Sequence, residues 1–300
     1  MQTKDRRFAA VDVLLLIMTV LPLAAGITLK VLLIPPSTGI DITGAYVFFT
    51  LPTPIQPLPI TESQVNSWMV VLAILFLSLW LTHGIRAGRK TKRQVIAEWI
   101  VEKTEDLVKG NMGEIFLGFA PFIAAIMALS AFSSLLSLLG LFPPTSDLNV
   151  VGGWAVLVFF LITYYKLKCG PVYYLKSFCE PVAFFAPINL VSELATPVAM
   201  SFRHYGNVLS GIVISVLVTA GLSGLSELVL GWLPGVLGDI PFLRIGLPAI
   251  LSVYFDLFSG CLQAFIFAML TMLYVAGAFS PEAYQKKIDK KAARRARRAE

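Results

Sequence analysis

Pro187-Ile-Asn-Leu-Val-Ser-Glu193-Leu-Ala-Thr-Pro197-Val-Ala-Met-Ser-Phe-Arg203-His-Tyr-Gly-Asn207 opens an apolar region that runs from about 182 to 231. Fifty residues of helix would be roughly 75 Å long, more than twice the roughly 30 Å hydrocarbon layer of a bilayer. Such a region is either broken, strongly tilted or partly interfacial. Within it stand Glu193, Arg203, His204, Asn207 and Glu227. A charge at the centre of a bilayer costs at least about 2.5 kcal/mol, so it normally faces a partner, a cavity or a neighbouring subunit.

The rest of the chain agrees with a membrane setting. Of 300 residues, 57% are hydrophobic and only 14% charged, where soluble domains run near a quarter, so the water-soluble class is excluded. Further spans are expected at 8–34, 63–85, 113–142, 150–167 and 248–279. The first follows Lys4, Arg6 and Arg7; it is long for a signal-peptide core and is read as a retained span. Pro52, Pro54, Pro57 and Pro59 make the connector 35–62 extended rather than helical. Thr61, Glu62, Ser63, Gln64 and Asn66 fit a helix start. In 91–110, Val95, Ile96, Trp99, Ile100, Leu107 and Val108 recur every three or four residues among charged ones, which predicts an amphipathic helix on the membrane or protein surface.

Basic residues orient these six crossings. They cluster at the N-terminus, at Arg86, Arg89, Lys90, Lys92 and Arg93, at Lys166, Lys168 and Lys176, and in the tail from Lys286 to Arg298. Lys and Arg are held on the cytoplasmic side, so both termini are expected there. Segments 35–62, 143–149 and 232–247 then lie outside, with Arg244 the one poor fit. The tail is read as a topology anchor or solvated segment, with contact to anionic lipid or RNA the weaker reading. Cys169, Cys179 and Cys261 form no metal-type cluster, and Cys261, inside an apolar stretch, is expected to be a packing residue. With His83 and His204 the only histidines, a histidine metal site has little support. No phosphate loop or GxSxG is present.

Spacing relates the intramembrane polar residues. Arg203 and Asn207 are four apart and share a helix face. Asp256 and Gln263 in the last span are seven apart, two turns along one face. If both regions cross, one side presents Arg203 and Asn207 toward Gln263, with Asp256 nearer the outside. Glu193 lies roughly 15 Å from Arg203 along a helix, toward the cytoplasm. Arginine keeps its proton in normal operation, so it can hold a passing carboxylate in its ionised form and repel cations. Two readings stay open: a functional charge, or a structural pair with Glu193 or Asp256. Gly206, Ser210 and Gly211 leave room for another helix, within this chain or in a partner. His204 is adjacent to Arg203 and faces another direction.

Glu193 to Asn207 resembles the hallmark stretch of subunit a of bacterial F-type ATP synthases. Further similarities follow in order: Ile60-Thr-Glu-Ser-Gln-Val-Asn66, Pro143-Pro-Thr-Ser-Asp147-Leu-Asn149 and Leu262-Gln263-Ala-Phe-Ile-Phe267. The resemblance covers about 60–280. It implies an all-α polytopic integral membrane protein with about six transmembrane helices, including a long tilted helical hairpin, plus one amphipathic surface helix. It divides the chain into 1–59, an extra N-terminal transmembrane helix with a proline-rich external segment; 60–280, the subunit a-like membrane domain; and 281–300, a basic cytoplasmic tail.

The role so implied is a stator subunit with two offset half-channels against a rotating c-subunit ring. It couples transmembrane ion flow to ATP synthesis or hydrolysis in a bacterial plasma (inner) membrane. Arg203 matches the essential arginine between the half-channels. Glu193, Asn207, Asp256 and Gln263 are the other ion-translocation candidates, and Arg203, Gly206 and Ser210 the candidate c-ring contacts. The implied partners are the c-ring, b-type peripheral stalk subunits, other ATP synthase subunits and lipid, with no nucleic acid, cofactor, metal or nucleotide site. Ile212 departs from the family, where many relatives carry a glutamate; histidine replaces Asp256 in some. The coupling ion, H⁺ or Na⁺, stays open. The competing classes are a stand-alone secondary ion or solute transporter and a structural membrane scaffold.

Overall fold

Prolines, glycines and short polar side chains set the element boundaries. A computed structural model of the chain describes residues 2–34, 44–54, 56–85, 91–179, 182–230 and 246–299. Helix α1 (Gln2–Leu33) leads to strands β1 (Val47–Leu51) and β2 (Leu58–Thr61). Helix α2 (Glu62–Thr82) begins at Thr61, whose N–H donates to Gln64 Oε1 at 3.4 Å. Helix α3 (Lys92–Met112) begins where the Thr91 hydroxyl accepts from the Gln94 N–H at 3.3 Å. It stops at Gly113, whose φ of 86° most side chains do not adopt. A 3₁₀ turn (Glu114–Phe119) then leads into α4 (Ala120–Leu135).

Asp147 caps α5 (Leu148–Cys169) by accepting from the Asn149 N–H at 2.9 Å. Short helix α6 (Pro171–Phe178) precedes α7 (Ala186–Leu230). The last span consists of α8 (Leu247–Ser252), a π-helical stretch (Val253–Ser259) and α9 (Gly260–Ala278), and α10 (Pro281–Ala299) closes the chain. Among the described residues, six helical segments are long and apolar enough to cross a bilayer: Ala10–Leu33, Glu62–Thr82, Glu114–Leu139, Leu148–Cys169, Ala186–Val229 and Leu247–Lys290. They coincide with the six spans expected from the sequence. The chain is a multi-pass inner-membrane protein.

At the centre, α4, α5 and α9 pack together through Ile123, Val158, Phe267, Met272 and Val275, with Val108 of α3 sealing one end. Large apolar side chains cover the outside, among them Leu32, Phe160 and Leu228. In water that surface would drive aggregation, whereas hydrocarbon is its matching solvent. Of the apolar stripe expected on α3, Val108 is buried against the bundle, while Val95, Ile96 and Trp99 are exposed.

Two polar clamps fasten α1 to its neighbours. At one end Asp12 accepts from Arg93 Nη1 at 2.7 Å and Nη2 at 2.8 Å, and lies 2.9 Å from His83 Nδ1. At the other end the Lys30 ammonium donates to the Gly140 carbonyl and lies 4.0 Å from the buried Glu62. Between them Gly26 lets α1 approach Met69 of α2: a Cβ there would meet the Met69 sulfur at 2.7 Å. Two motifs distant in sequence meet at the second clamp. Asn66 Nδ2 donates to the Phe142 carbonyl at 2.8 Å, the Phe142 N–H donates to Glu62 at 3.3 Å, and the Ser63 hydroxyl donates to Asp147.

Four features correct or refine the sequence-based expectations. The proline-rich connector is not merely extended; it pairs as an antiparallel hairpin, with Phe49 opposite Ile60 and Thr50 opposite Pro59. A two-stranded sheet has only edge strands, which tolerate proline. The overlong fifth region is one helix, with Pro197 inside it. Proline costs one backbone hydrogen bond, which packed neighbours in a membrane protein tolerate. Cys261 is exposed, whereas Cys169 is the buried packing cysteine, its Sγ 3.4 Å from the Ser280 N–H. The basic tail is helical, and Lys287 donates to the Lys168 carbonyl at 2.7 Å, capping the C-terminal end of α5 with positive charge. The basic residues Arg86, Arg89 and Lys90, and the connector with Pro234 and Arg244, lie outside the described residues.

Candidate functional site

Helix α7 meets α5 along one flank and the π-helical stretch and α9 along another. These contacts decide which of its polar side chains turn inward. Asn207 turns toward the last span, where its Nδ2 donates to Ser259 Oγ at 2.9 Å and the Ser259 hydroxyl faces its Oδ1 at 3.3 Å. Gly211, one turn on, is buried against Phe255; a Cβ there would lie 3.1 Å from the Phe255 Cβ. Gly206 by contrast has open space where a side chain would be, and Ser210 is exposed, its hydroxyl donating to the Asn207 carbonyl at 3.0 Å. The small-residue stripe therefore divides: Gly211 serves internal packing, and Gly206 and Ser210 stay on an open flank.

Arg203 is exposed, and among the described residues its guanidinium makes no hydrogen bond or ion pair. Neither structural pairing considered from the sequence forms. Glu193 pairs instead with Lys166 of α5, Oε2 to Nζ at 2.9 Å. The other carboxylate oxygen, Oε1, is buried without a hydrogen-bond partner. This ion pair lies in a cleft of about 340 Å³ that Ser177, Asn189, Ser192 and Thr196 also line. Lys166 further sits 5.7 Å from the ring centres of Tyr174 and Phe178. Burial and the nearby Glu193 charge push the Tyr174 phenol above its ordinary value.

Asp256 and Gln263 stand on either side of a junction between two helix types. Asp256 lies within the π-helical stretch and Gln263 within α9. A π turn closes hydrogen bonds one residue later than an α turn, so seven residues no longer equal two turns across that junction. Gln263 is buried in the bundle, while Asp256 is half-buried with its carboxyl against the hydroxyls of Ser137 and Ser252. Of the expected series, the structure joins Asn207 to the last span and leaves Arg203 on an open flank. It places Glu193 in a separate cleft.

The sequence reading left three kinds of residue in this neighbourhood without the partners that the structure gives them. Lys166 served there only as an orientation marker. His204 is fully buried, its Nε2 3.2 Å from Ser130 Oγ. Ser130, Ser133, Ser134 and Ser137 recur at three, four and seven residues, a spacing visible in the sequence. Their use became apparent only once α4 was set against α7.

Residues 65–276 match the family model described as ATP synthase A chain. Among similar proteins, ATP synthase subunit a of Bacillus pumilus is 31% identical over 241 residues, covering 75% of this chain and 96% of that protein. The subunit a of Legionella pneumophila strain Philadelphia 1 is 26% identical over 225 residues, 74% of this chain and 88% of that one. A third, the sodium ion specific subunit a of Propionigenium modestum, is 29% identical over 245 residues, 75% and 76% of the two chains. With a family match over more than half its length, on a six-span helical fold built around the Arg203 motif, the chain belongs to the ATP synthase A chain family.

Proposed function

We propose that α7 presents Arg203 to the carboxylates of the c-subunit ring, and that Glu193, Asn207, Asp256 and Gln263 line the ion's route to and from them. As a family member the chain is a non-catalytic, ion-translocating stator subunit of the synthase's membrane sector. It forms half-channels against the c-ring and couples transmembrane ion flow to ATP synthesis or hydrolysis. One observation carries the residue-level reading: Arg203 is exposed on a flank with Gly206 and Ser210, and no described side chain neutralises it.

An exposed, unpaired guanidinium in an apolar span needs a counter-charge from outside the chain. A carboxylate supplied by a moving partner meets that need transiently. Beside Arg203 the carboxylate is held ionised, because an opposite charge nearby favours the charged form. It can therefore neither carry its ion straight past nor exchange it there, which separates the two access routes. Ion entry near Asp256 and exit past Glu193 fit this division. The open flank bearing Gly206 and Ser210 suits close passage of a c-subunit helix.

The bundle end that carries Arg93, Lys166 and Lys168 is assigned to the cytoplasm, together with both termini. Residues 1–59 and 281–300 are assigned as additions to a 60–280 core, and b-type stalk subunits as the static partners. The test is ATP-driven ion pumping in inverted membrane vesicles with Arg203→Ala. Loss of pumping with the complex still assembled supports the reading, and pumping at the parental rate sinks it.

A further inference from the structure

Past Ala278 the chain leaves the bundle as α10, which lies beyond the residues that match the family. Between 286 and 298 stand eight Lys and Arg side chains and one acid, Asp289. The basic residues do not ring the helix evenly. At 3.6 residues per turn Lys287, Lys290, Lys291, Arg294 and Arg298 recur along one side, and Ile288, Ala292, Ala296 and Ala299 along the other. Such a stripe is unfavourable for a helix in water. Lys287 and Lys291, Lys290 and Arg294, and Arg294 and Arg298 stand four apart, and like charges four apart on a helix repel. A counter-charged surface beside the stripe removes that repulsion.

The packing of α10 fixes where the stripe begins. Only Phe279 and Ser280 separate it from α9. The Ser280 N–H lies 3.4 Å from Cys169 Sγ. Two turns on, Lys287 Nζ donates to the Leu167 carbonyl at 3.4 Å and the Lys168 carbonyl at 2.7 Å. The first turns of α10 are therefore held at the level where the span α5 ends. Because Lys287 belongs to the stripe, that side of α10 turns back toward the membrane. The same level has the marks of a membrane–water interface. Lys168 Nζ lies 5.6 Å from the ring centre of Tyr165 and 5.7 Å from that of Tyr284. The adjoining α6 exposes Val172 and Leu175, and Lys286 and Lys290 are exposed on α10.

We infer that α10 lies along the leaflet at this end of the bundle and binds its anionic phospholipid headgroups through the basic stripe. Lys and Arg donate charge-assisted hydrogen bonds to phosphate oxygens, and basic clusters next to a membrane span are drawn to anionic lipid within a Debye length, roughly 8 Å. The opposite side is mostly alanine and offers little to bury among acyl chains, so the attachment is electrostatic and yields to salt. The tie through Lys287 favours lipid over RNA or an acidic protein, because it keeps the start of the stripe at headgroup depth. The contact tethers the end of the last span to the membrane surface.

The test places the full-length chain in nanodiscs of phosphatidylcholine, alone or mixed with phosphatidylglycerol, and follows amide hydrogen exchange by mass spectrometry. Phosphatidylglycerol should slow exchange in residues 286–299 by about tenfold, and high salt should abolish the slowing while α9 stays protected. Lys290→Gln, Lys291→Gln, Arg294→Gln and Arg298→Gln together should remove the response to lipid. Arg294→Lys with Arg298→Lys keeps the charge and should preserve it. The parental comparison needs no variant, so a variant that fails to insert leaves the test intact. Equal exchange in the two lipids identifies a solvated tail and overturns the inference. Protection in phosphatidylcholine that appears only when RNA is added, or only in the assembled ATP synthase complex, also overturns it and names a different partner.

Discussion

Helices α1 and α7 are both long, apolar and sparsely charged, and they handle their charges in opposite ways. On α1, Asp12 is gripped by Arg93 and His83, and Lys30 reaches the Gly140 carbonyl and Glu62. Both charges lie near the ends of the apolar span Ala10–Leu33 and hold α1 against its neighbours. On α7, Glu193 is likewise held by Lys166, but Arg203, farther along the helix, is exposed and has no described partner. Pairing within the chain marks charges that support structure. An intramembrane charge left without an internal partner marks a surface whose complement lies on another subunit.

The sharpest way to break this contrast is to neutralise one charge on each helix. Arg203→Ala should reduce ATP-driven pumping by more than about a hundredfold, while the thermal midpoint of the detergent-solubilised chain hardly moves. Asp12→Asn should do the reverse. It weakens two charge-assisted hydrogen bonds and should destabilise the chain by about 2 kcal/mol, lowering the thermal midpoint while coupled pumping persists in assembled complexes. If Asp12→Asn abolishes pumping at full assembly, the division between structural and functional charges fails.

The two faces of α7 sharpen the comparison at smaller scale. Gly211→Ala presses a methyl group against Phe255 and should cost about 1–3 kcal/mol of stability, read as a lower thermal midpoint. Gly206→Ala enters open space and should leave that midpoint within about 0.5 kcal/mol of the parent. Enlarging the same site, as Gly206→Trp, should slow pumping in the assembled complex without unfolding the isolated chain. At Lys30, which is 40% exposed, Lys30→Met should cost about 1 kcal/mol at most, seen in the same thermal scan.

Helix existence was legible because a bilayer demands long apolar runs, and six of them stand clear of their polar connectors. The Thr61 helix start was equally readable, since capping is local chemistry. Orientation around each helix was not. Cys261 stands in apolar company yet is exposed, whereas Cys169, beside Lys168, is buried against Ser280. Nothing in a spacing rule reports the lengthened turns of the π-helical stretch that carries Asp256. His204 was expected to face away from Arg203, and it is buried where Arg203 is exposed. Its partner Ser130 lies 74 residues earlier, and that contact exists only in the folded bundle.

The length of α7 has a consequence for how two subunits can touch. Its 45 residues make a rod of about 68 Å, which fits a roughly 30 Å slab only when inclined far from the membrane normal. An upright rod would lie alongside an upright neighbour over its whole length. An inclined one crosses it, and two crossing rods meet over a few residues only. The rim of a rotor passing α7 would thus be gripped at one spot, slipping by with little friction above and below it.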